Sequence, residues 1–476
     1  MRLLEVAAAL NAQAIGADVA WDRVTTDSRG DVAGALFVAL RGERFDAHKF
    51  VADVLARGAA AVMIAADSGL DVSPAIVVAD TRIGLGQLAA WHRDRMPAKL
   101  VAITGSNGKT TVKEMTAAIL RAEAGDDAVL ATQGNLNNDY GLPLTLLKLA
   151  PTHRFCVAEM GMNHPGELDY LTHIARPDVA LVNNAQRAHL EGLGTLEAVA
   201  RAKGEIYAGL RVEGVAIVNA DDPHADLWRQ LAGSHSVLAF GLGDTANIRA
   251  ERASLSPQSS SLILHTPQGR IETTLSALGE HNTRNAAAAA AAALALGAST
   301  DAVARGLAGY AGVKGRLQAH DCILGARLID DTYNANPDSV SAAIAVLAAL
   351  PGQRVLVLGD MGELGPEAAA LHAEIGERAH AAGIDRLLAF GGLAVNAARA
   401  FGEGGQHFEL IEDLLAGVEN ALGPQVTVLV KGSRFMKMER VVQSFVERGV
   451  CPHASLPPEG AHCPPQGGLS EGKICS

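Results

Sequence analysis

The sequence predicts an α/β protein of three domains with a tail behind them. Three observations carry this. The chain has 476 residues, too many for one compact core and suited to about three domains. An apolar run breaks into a glycine-rich turn and then a helix around residues 100–111. Short apolar runs that close on polar or Gly-containing loops recur on both sides of a linker near 312–317, with helical patterns between them, as in doubly wound sheets.

Residues 1–98 alternate short helices and strands. Asp27-Ser28-Arg29 sits in a polar loop. The strand Gly34-Ala-Leu-Phe-Val-Ala-Leu40 follows, then a loop through His48. This pattern is a plain loop–strand–loop, or a surface for a polar ligand built from Arg29 and backbone groups near Ser28 and His48.

The central region, 99–312, is organised around Leu100-Val-Ala-Ile-Thr-Gly105-Ser106-Asn107-Gly108-Lys109-Thr110-Thr111. A strand, a glycine-rich turn and a helix N-terminus make a phosphate cradle: successive N–H groups and the helix dipole point at an anion. Lys109 would reach the terminal phosphates and Thr110 would hold Mg²⁺. Gly105 precedes Gly108 by only three residues, so this is a shortened loop. Alone, it could also be a junction with no ligand.

Further strands end on polar groups, where open α/β sheets bind ligands. Phe155-Cys-Val-Ala-Glu159 ends on a carboxylate placed for Mg²⁺. Asp178-Val-Ala-Leu-Val-Asn183-Asn184 runs into the loop holding His189, then a helix holding Lys203 and Glu205. Ser261–His265 and Arg270–Leu275 predict a hairpin around Thr-Pro-Gln-Gly. Gly279-Glu-His281-Asn282-Thr-Arg-Asn285 opens a helix of consecutive alanines, with Asn282 a candidate N-cap.

After the linker, 313–450 forms a second doubly wound domain. Leu328-Ile-Asp-Asp331-Thr-Tyr333-Asn334-Ala-Asn336-Pro-Asp-Ser339 predicts a strand, then a helix begun by Asn-Pro. Val355–Leu358, Leu387–Phe390 and Thr427–Val430, the last running into Lys431-Gly-Ser433, supply the other strands. From 451 to 476 no apolar period remains, and the Pro/Gly-rich composition predicts a disordered tail. Its Cys451, His453, His462, Cys463 and Cys475 fit no zinc spacing.

Composition narrows the function. Net charge is −12, which argues against a nucleic-acid surface. No apolar run is long enough to span a bilayer, and Glu5 interrupts any N-terminal signal. Five cysteines without a CxxC pair fit reduced thiols in the cytoplasm.

Taken together, Thr104-Gly-Ser-Asn-Gly-Lys-Thr-Thr111, Glu159, His189, Lys203, the Gly279-to-Asn285 cluster and Arg316 resemble the Mur ligases and their folylpolyglutamate synthase relatives. Asp330-Asp-Thr-Tyr-Asn-Ala-Asn-Pro-Asp-Ser339, Leu358-Gly-Asp-Met-Gly-Glu-Leu364 and the stretch from Val430 to Val442 resemble the branch that adds D-alanyl-D-alanine. The likeness covers residues 1 to about 448. A P-loop GTPase or kinase would leave the third domain and the His189/Lys203 pair unexplained.

The resemblance implies a small N-terminal UDP-binding domain, a central P-loop-type ATP-binding domain and a C-terminal Rossmann-like domain that closes over the site. It implies an ATP-dependent ligase, a monomer, joining D-Ala-D-Ala to a UDP-N-acetylmuramoyl tripeptide through an acyl phosphate. Lys109, Glu159, His189 and Lys203 would be catalytic. Gly105, Ser106, Asn107, Gly108, Thr110, Thr111, Asn282, Asn285, Arg316 and Asp331 would hold ATP. Thr110, Glu159, His189 and a carbamate on Lys203 would bind two Mg²⁺ ions. Ser28, Arg29, His48, Asn138, Tyr333, Asn334, Asn336, Ser339, Lys431 and Ser433 would contact the other substrates.

Overall fold

The structure, a computed structural model, describes residues 1–42, 45–188, 190–255 and 260–449. His189 and the expected tail over 451–476 lie outside the described residues. Three sheets organise the chain. The first has the order β1 (Gln13–Ile15), β5 (Ala75–Val78), β4 (Ala61–Ala65), β3 (Leu36–Val38), β2 (Val24–Thr25). All its pairings are parallel except β1 with β5.

The central sheet contains β6 (Lys99–Thr104), β7 (Val129–Ala131), β8 (Phe155–Glu159), β9 (Val179–Val182), β10 (Val215–Asn219), β11 (Ser236–Gly241), β12 (Ile248–Leu255), β13 (Ser260–Thr266) and β14 (Gly269–Leu275). Its order is β14-β13-β12-β11-β10-β9-β6-β8-β7. The run from β7 to β12 is parallel, and the expected hairpin, β13–β14, is added antiparallel. From β6 the chain goes outward to β7, returns to β8 on one side of β6, and then crosses to β9 on the other. The phosphate-loop strand therefore lies where strand order reverses, so the crevice opens at its carboxyl end.

Leu100, Val101, Ala102 and Ile103 of β6 are all fully buried, as befits a strand covered on both faces. On one face lie the helix Lys109–Ala124, which follows the phosphate loop, and the alanine helix Glu280–Ala295. Ala286 to Ala293 are each 0% exposed: methyl side chains let this helix pack with neighbours on all sides. On the other face the core runs on into the first domain, joining Leu36, Met63 and Leu88 to Leu142, Met160 and Tyr207. Buried Arg93 adds polar ties there, donating to Ala175 O at 3.2 Å and to Asp178 Oδ2 at 3.2 Å.

The third sheet has the order β15 (Gln318–Asp321), β16 (Arg327–Asp331), β20 (Val426–Lys431), β17 (Gln353–Gly359), β18 (Arg386–Phe390), β19 (Gly405–Phe408). Only the β15–β16 pair is antiparallel. Asn336 caps the helix Pro337–Ala348 through a capping box with Ser339, as the Asn-Pro signal predicts.

Two local expectations are corrected. Asn282 is not an N-cap: the cap position of Glu280–Ala295 is Gly279, at φ 95°, and Asn282 lies inside the first turn. Its amide instead donates to Leu278 O at 2.8 Å and accepts from Asn285 Nδ2 at 3.0 Å. Glu205 is not in the same helix as Lys203. That helix is Leu196–Gly204, and Glu205 opens a 3₁₀ turn, its carboxylate accepting the Gly166 N–H at 2.9 Å.

Candidate active site

The phosphate loop closes β6 with two glycines in unusual backbone. Gly108 has φ 80°, and a Cβ there would stand 2.5 Å from Asn183 Nδ2 and 2.6 Å from Asn285 Oδ1. No side chain fits, so the loop approaches the asparagines directly. Asn183 Nδ2 donates to Asn107 O at 2.9 Å and to Asn285 Oδ1 at 3.0 Å. Asn184 Oδ1 accepts the Asn107 N–H at 2.9 Å, and Gln186 N–H donates to Ser106 Oγ at 2.9 Å. The residues just past β9 thus hold the loop rigid. Lys109 Nζ donates to Gly105 O at 2.6 Å and to Ser106 O at 3.3 Å. Desolvation lowers the pKa of this ammonium, against the opposing charge of Glu159.

Glu159 ends β8 and is 3% exposed. Asn137 Nδ2 donates to its Oε1 at 2.8 Å, and Thr132 Oγ1 accepts its backbone N–H at 2.9 Å. Its Oε2 is buried and has no hydrogen-bond partner among the described residues. A buried carboxylate oxygen left unpaired is costly unless a cation completes it. This donor fits Mg²⁺, which takes hard oxygen ligands.

Lys203 is 1% exposed, and burial with the nearby Lys109 cation lowers its pKa well below the usual lysine value. It lies outside the cavity lining.

A cavity of about 1270 Å³ opens over these groups. The central domain lines it with Ser106, Asn107, Gly108, Lys109, Thr111, Asn138, Glu159, Asn282 and Asn285. The linker and third domain line it with Arg316, Asp331, Tyr333, Asn334, Asn336, Ser339, Lys431 and Ser433. Gly105 and Thr110 stand just outside the lining, within the same loop. Arg316 reaches across: its Nη2 donates to Thr110 Oγ1 at 3.0 Å while its guanidinium lies 4.3 Å from the Tyr333 ring centre.

Several expected contact residues are already engaged by the fold. Asn138 Oδ1 accepts the Gly141 N–H at 2.9 Å. Asn336 and Ser339 are bound to each other in the capping box, and Asn336 also exchanges amide hydrogen bonds with Asn107 at 2.8 and 3.2 Å. Lys431 Nζ donates to Asp331 Oδ2 at 2.6 Å and to Asn334 O at 2.8 Å. Ser433 Oγ accepts the Gly362 N–H at 2.8 Å.

Ser28, Arg29 and His48 lie in the first domain, outside this cavity. Arg57 donates to Ser28 O and Gly30 O, holding that loop. Arg29 pairs with Asp27 at 3.0 Å and is otherwise solvent-exposed. His48 is buried: its Nε2 accepts the Ala65 N–H at 3.0 Å, and Nδ1 lies 2.6 Å from Asp46 Oδ1. Both ring nitrogens are used by the fold, so a direct side-chain contact from His48 to a ligand is not what this arrangement offers.

Sequence reasoning missed Asn137, Gln186 and Arg187 as site residues. Polar amides at or just past strand ends, a pattern that Asn183, Asn184 and Asn219 share, could have marked Gln186; Asn137 lies six residues past β7, in the loop before the helix Gly141–Leu146. Arg187 carries no local signal, because its partner Asp338 is 151 residues away.

Comparison with known proteins agrees with this layout. Family models for the Mur ligase family catalytic domain, the Mur ligase middle domain and the Mur ligase glutamate ligase domain match residues 22–99, 103–293 and 315–434. The chain is 45% identical over 445 residues to the UDP-N-acetylmuramoyl-tripeptide–D-alanyl-D-alanine ligase of Escherichia coli, covering 93% of this chain and 97% of that one. The crystal structure of MurF from Acinetobacter baumannii superposes with a TM-score of 0.87 at 39% identity, covering 94% of this chain and 98% of that one. The MurF ligase of Thermotoga maritima in complex with ADP gives 0.78 at 29% identity, covering 88% and 96%. With all three of its domains matched in order and relatives aligned almost end to end, the chain belongs to the Mur ligase family.

Proposed function

We propose that this protein is an ATP-dependent ligase that joins D-Ala-D-Ala to a UDP-N-acetylmuramoyl tripeptide in peptidoglycan synthesis. The carrying observation is one cavity in which a phosphate loop and the Glu159 carboxylate, whose Oε2 has no partner among the described residues, face a separate domain across the gap. The near full-length likeness to D-alanyl-D-alanine ligases supports the choice of substrates.

A carboxylate is a poor acyl donor, so the γ-phosphoryl group of ATP first passes to it. Such transfer is mainly positioning and charge neutralisation. Lys109 leaves its loop carbonyls to meet the γ-phosphate. The dipeptide amine then attacks the acyl carbon, the bond to phosphate breaks, and an amide forms. Asn282, Asn285, Arg316 and Asp331 position the nucleotide; Tyr333, Asn334, Lys431 and Ser433 shape the amine side. Asn138, Asn336 and Ser339 act as supports for that wall.

Glu159 Oε2 and Thr110 Oγ1 would hold one Mg²⁺; Glu159, His189 and a carbamoylated Lys203 would hold a second. The metal would supply neutralising charge at the transferring phosphoryl group. In the first domain, Arg29 and the backbone around Ser28 would meet the UDP pyrophosphate, with His48 bracing the strand behind. We divide the chain into 1–98, 99–312 and 313–450 for these three tasks. The dependence on ATP and a nucleotide-linked precursor supports a cytoplasmic enzyme, and this reading takes it to act as a monomer. No helix of the described residues is long and apolar enough to cross a membrane.

The test is phosphate release with each substrate omitted in turn. Fast release should need MgATP, the UDP-linked tripeptide and D-Ala-D-Ala together. If D-Ala, L-Ala, D-Glu, L-Lys or diaminopimelate alone works as well as the dipeptide, the substrate assignment is wrong.

A further inference from the structure

The segment after β9 faces two ways. On one side Gln186 grips the phosphate loop: its carbonyl accepts from Ser106 Oγ at 3.1 Å, and its Oε1 accepts from Asn107 Nδ2 at 2.6 Å. On the other side the next residue, Arg187, grips the third domain. Its backbone N–H donates to Asp338 Oδ2 at 2.7 Å, and its Nε and Nη2 donate to Asp338 Oδ1 at 3.0 and 2.8 Å. Its Nη1 and Nη2 also donate to Glu374 Oε2 and Oε1 at 2.8 and 3.1 Å.

Asp338 lies in the first turn of Pro337–Ala348, and Glu374 belongs to the helix Ala368–Ala381. One guanidinium therefore clamps two helices of the third domain to the backbone that holds the phosphate loop. The side chains of Arg187, Asp338 and Glu374 are 27%, 24% and 35% exposed. A single exposed pair would contribute little, but bidentate, partly buried networks are stronger. Further along the described residues of this segment, Glu191 N–H donates to Glu363 O at 3.3 Å.

We propose that Arg187 is a positioning residue that couples the phosphate loop to docking of the third domain, and so shields the acyl phosphate from water. This rests on the ligase reading above. In the productive step the amine nitrogen attacks the acyl carbon, phosphate leaves, and the nitrogen loses its proton to solvent. With the third domain undocked, water attacks the same carbon. Phosphate leaves again, the water oxygen ends in the re-formed carboxylate, and its protons pass to phosphate and solvent. ATP is then consumed without an amide.

The experiment counts phosphate released and amide formed in the same reaction, using the full chain with Arg187→Ala, Arg187→Lys and Glu374→Ala. Wild-type enzyme should give equal amounts. Arg187→Ala should raise KM for D-Ala-D-Ala about tenfold, equivalent to ~1.4 kcal/mol, leave KM for ATP within about twofold, and release more phosphate than amide. Arg187→Lys should restore part of both, since a lysine keeps the charge and loses the fork. Glu374→Ala removes a partner on a helix surface, keeps the fold, and should show the same excess at smaller size. An equal count with unchanged KM in Arg187→Ala, or in Glu374→Ala should the former not fold, overturns the coupling. A loss of amide and phosphate in parallel also overturns it, because that marks a phosphate-site defect. The wild-type substrate requirement is measured separately, so either idea can fail alone.

Discussion

Asp331 and Lys431 stand opposite each other in register at the ends of the neighbouring parallel strands β16 and β20, Oδ2 to Nζ 2.6 Å apart. The side chains are 12% and 4% exposed, so the pair is largely removed from water. Removing one member of such a pair leaves the other charge buried and alone, at a cost of about 3–5 kcal/mol. Asp331→Asn or Lys431→Met should each lower the stability of the third domain by that order in urea unfolding. Replacing both with apolar residues should cost less than the two single changes added together. Additive losses would mean that the two groups do not act as a pair, and that each serves its ligand separately.

How much of this was legible in the sequence depends on the range of the interaction. The phosphate loop, its strand and its helix were readable because all the information is local: an apolar run, two glycines and a Lys-Thr-Thr start. The capping box at Asn336 and Ser339 was readable for the same reason. Asn282 looked like a cap because it precedes the alanine run, but the helix begins earlier and the amide is used to hold Asn285. The polar loop and the family resemblance both point to His48 as lying near the nucleotide; the use of its ring by Asp46 and Ala65 is a tertiary fact that the local sequence does not show. The Arg187 clasp joins residues from two domains, and no periodicity or motif marks such a pair.

Lys109 tests the ATP site. Its ammonium is held by two carbonyls of its own loop and would meet the proposed γ-phosphate. Lys109→Ala should abolish turnover and leave binding of the UDP-linked precursor within a few fold, because Ser28 and Arg29 lie in another domain. Turnover near the wild-type rate would remove the assignment.

His281 sets a pH dependence. Its ring packs against Gly279, and burial, with Lys431 and Arg284 nearby, pushes its pKa down from 6.5 to about 4. The unfolded chain takes up a proton in that interval and the folded one refuses it. Folding stability from this group is therefore full above about pH 6.5 and is lost as pH falls towards 4. His281→Asn should flatten that part of the stability profile, measured by urea unfolding at several pH values. A profile unchanged by the substitution would show that the imidazole titrates normally.

Lys203 carries the boldest chemistry. A cationic ammonium there would stand beside Lys109 and repel any metal near Glu159. Burial and the Lys109 charge both disfavour that cation and so favour the neutral amine. A neutral amine can attack the carbon of CO₂, lose a proton to solvent and become a carbamate anion. The new charge is attracted to Lys109, and its oxygens are ligands of the kind Mg²⁺ prefers. Lys203→Ala should fold, because a small side chain replaces a buried charge, yet it should be nearly inactive. Acetate or formate should return part of the activity by supplying a carboxylate in the space left. Wild-type protein equilibrated with carbon-13 bicarbonate should show a carbamate resonance that Lys203→Ala lacks. Full activity of Lys203→Ala, or the same resonance in both proteins, would overturn the proposed carbamate.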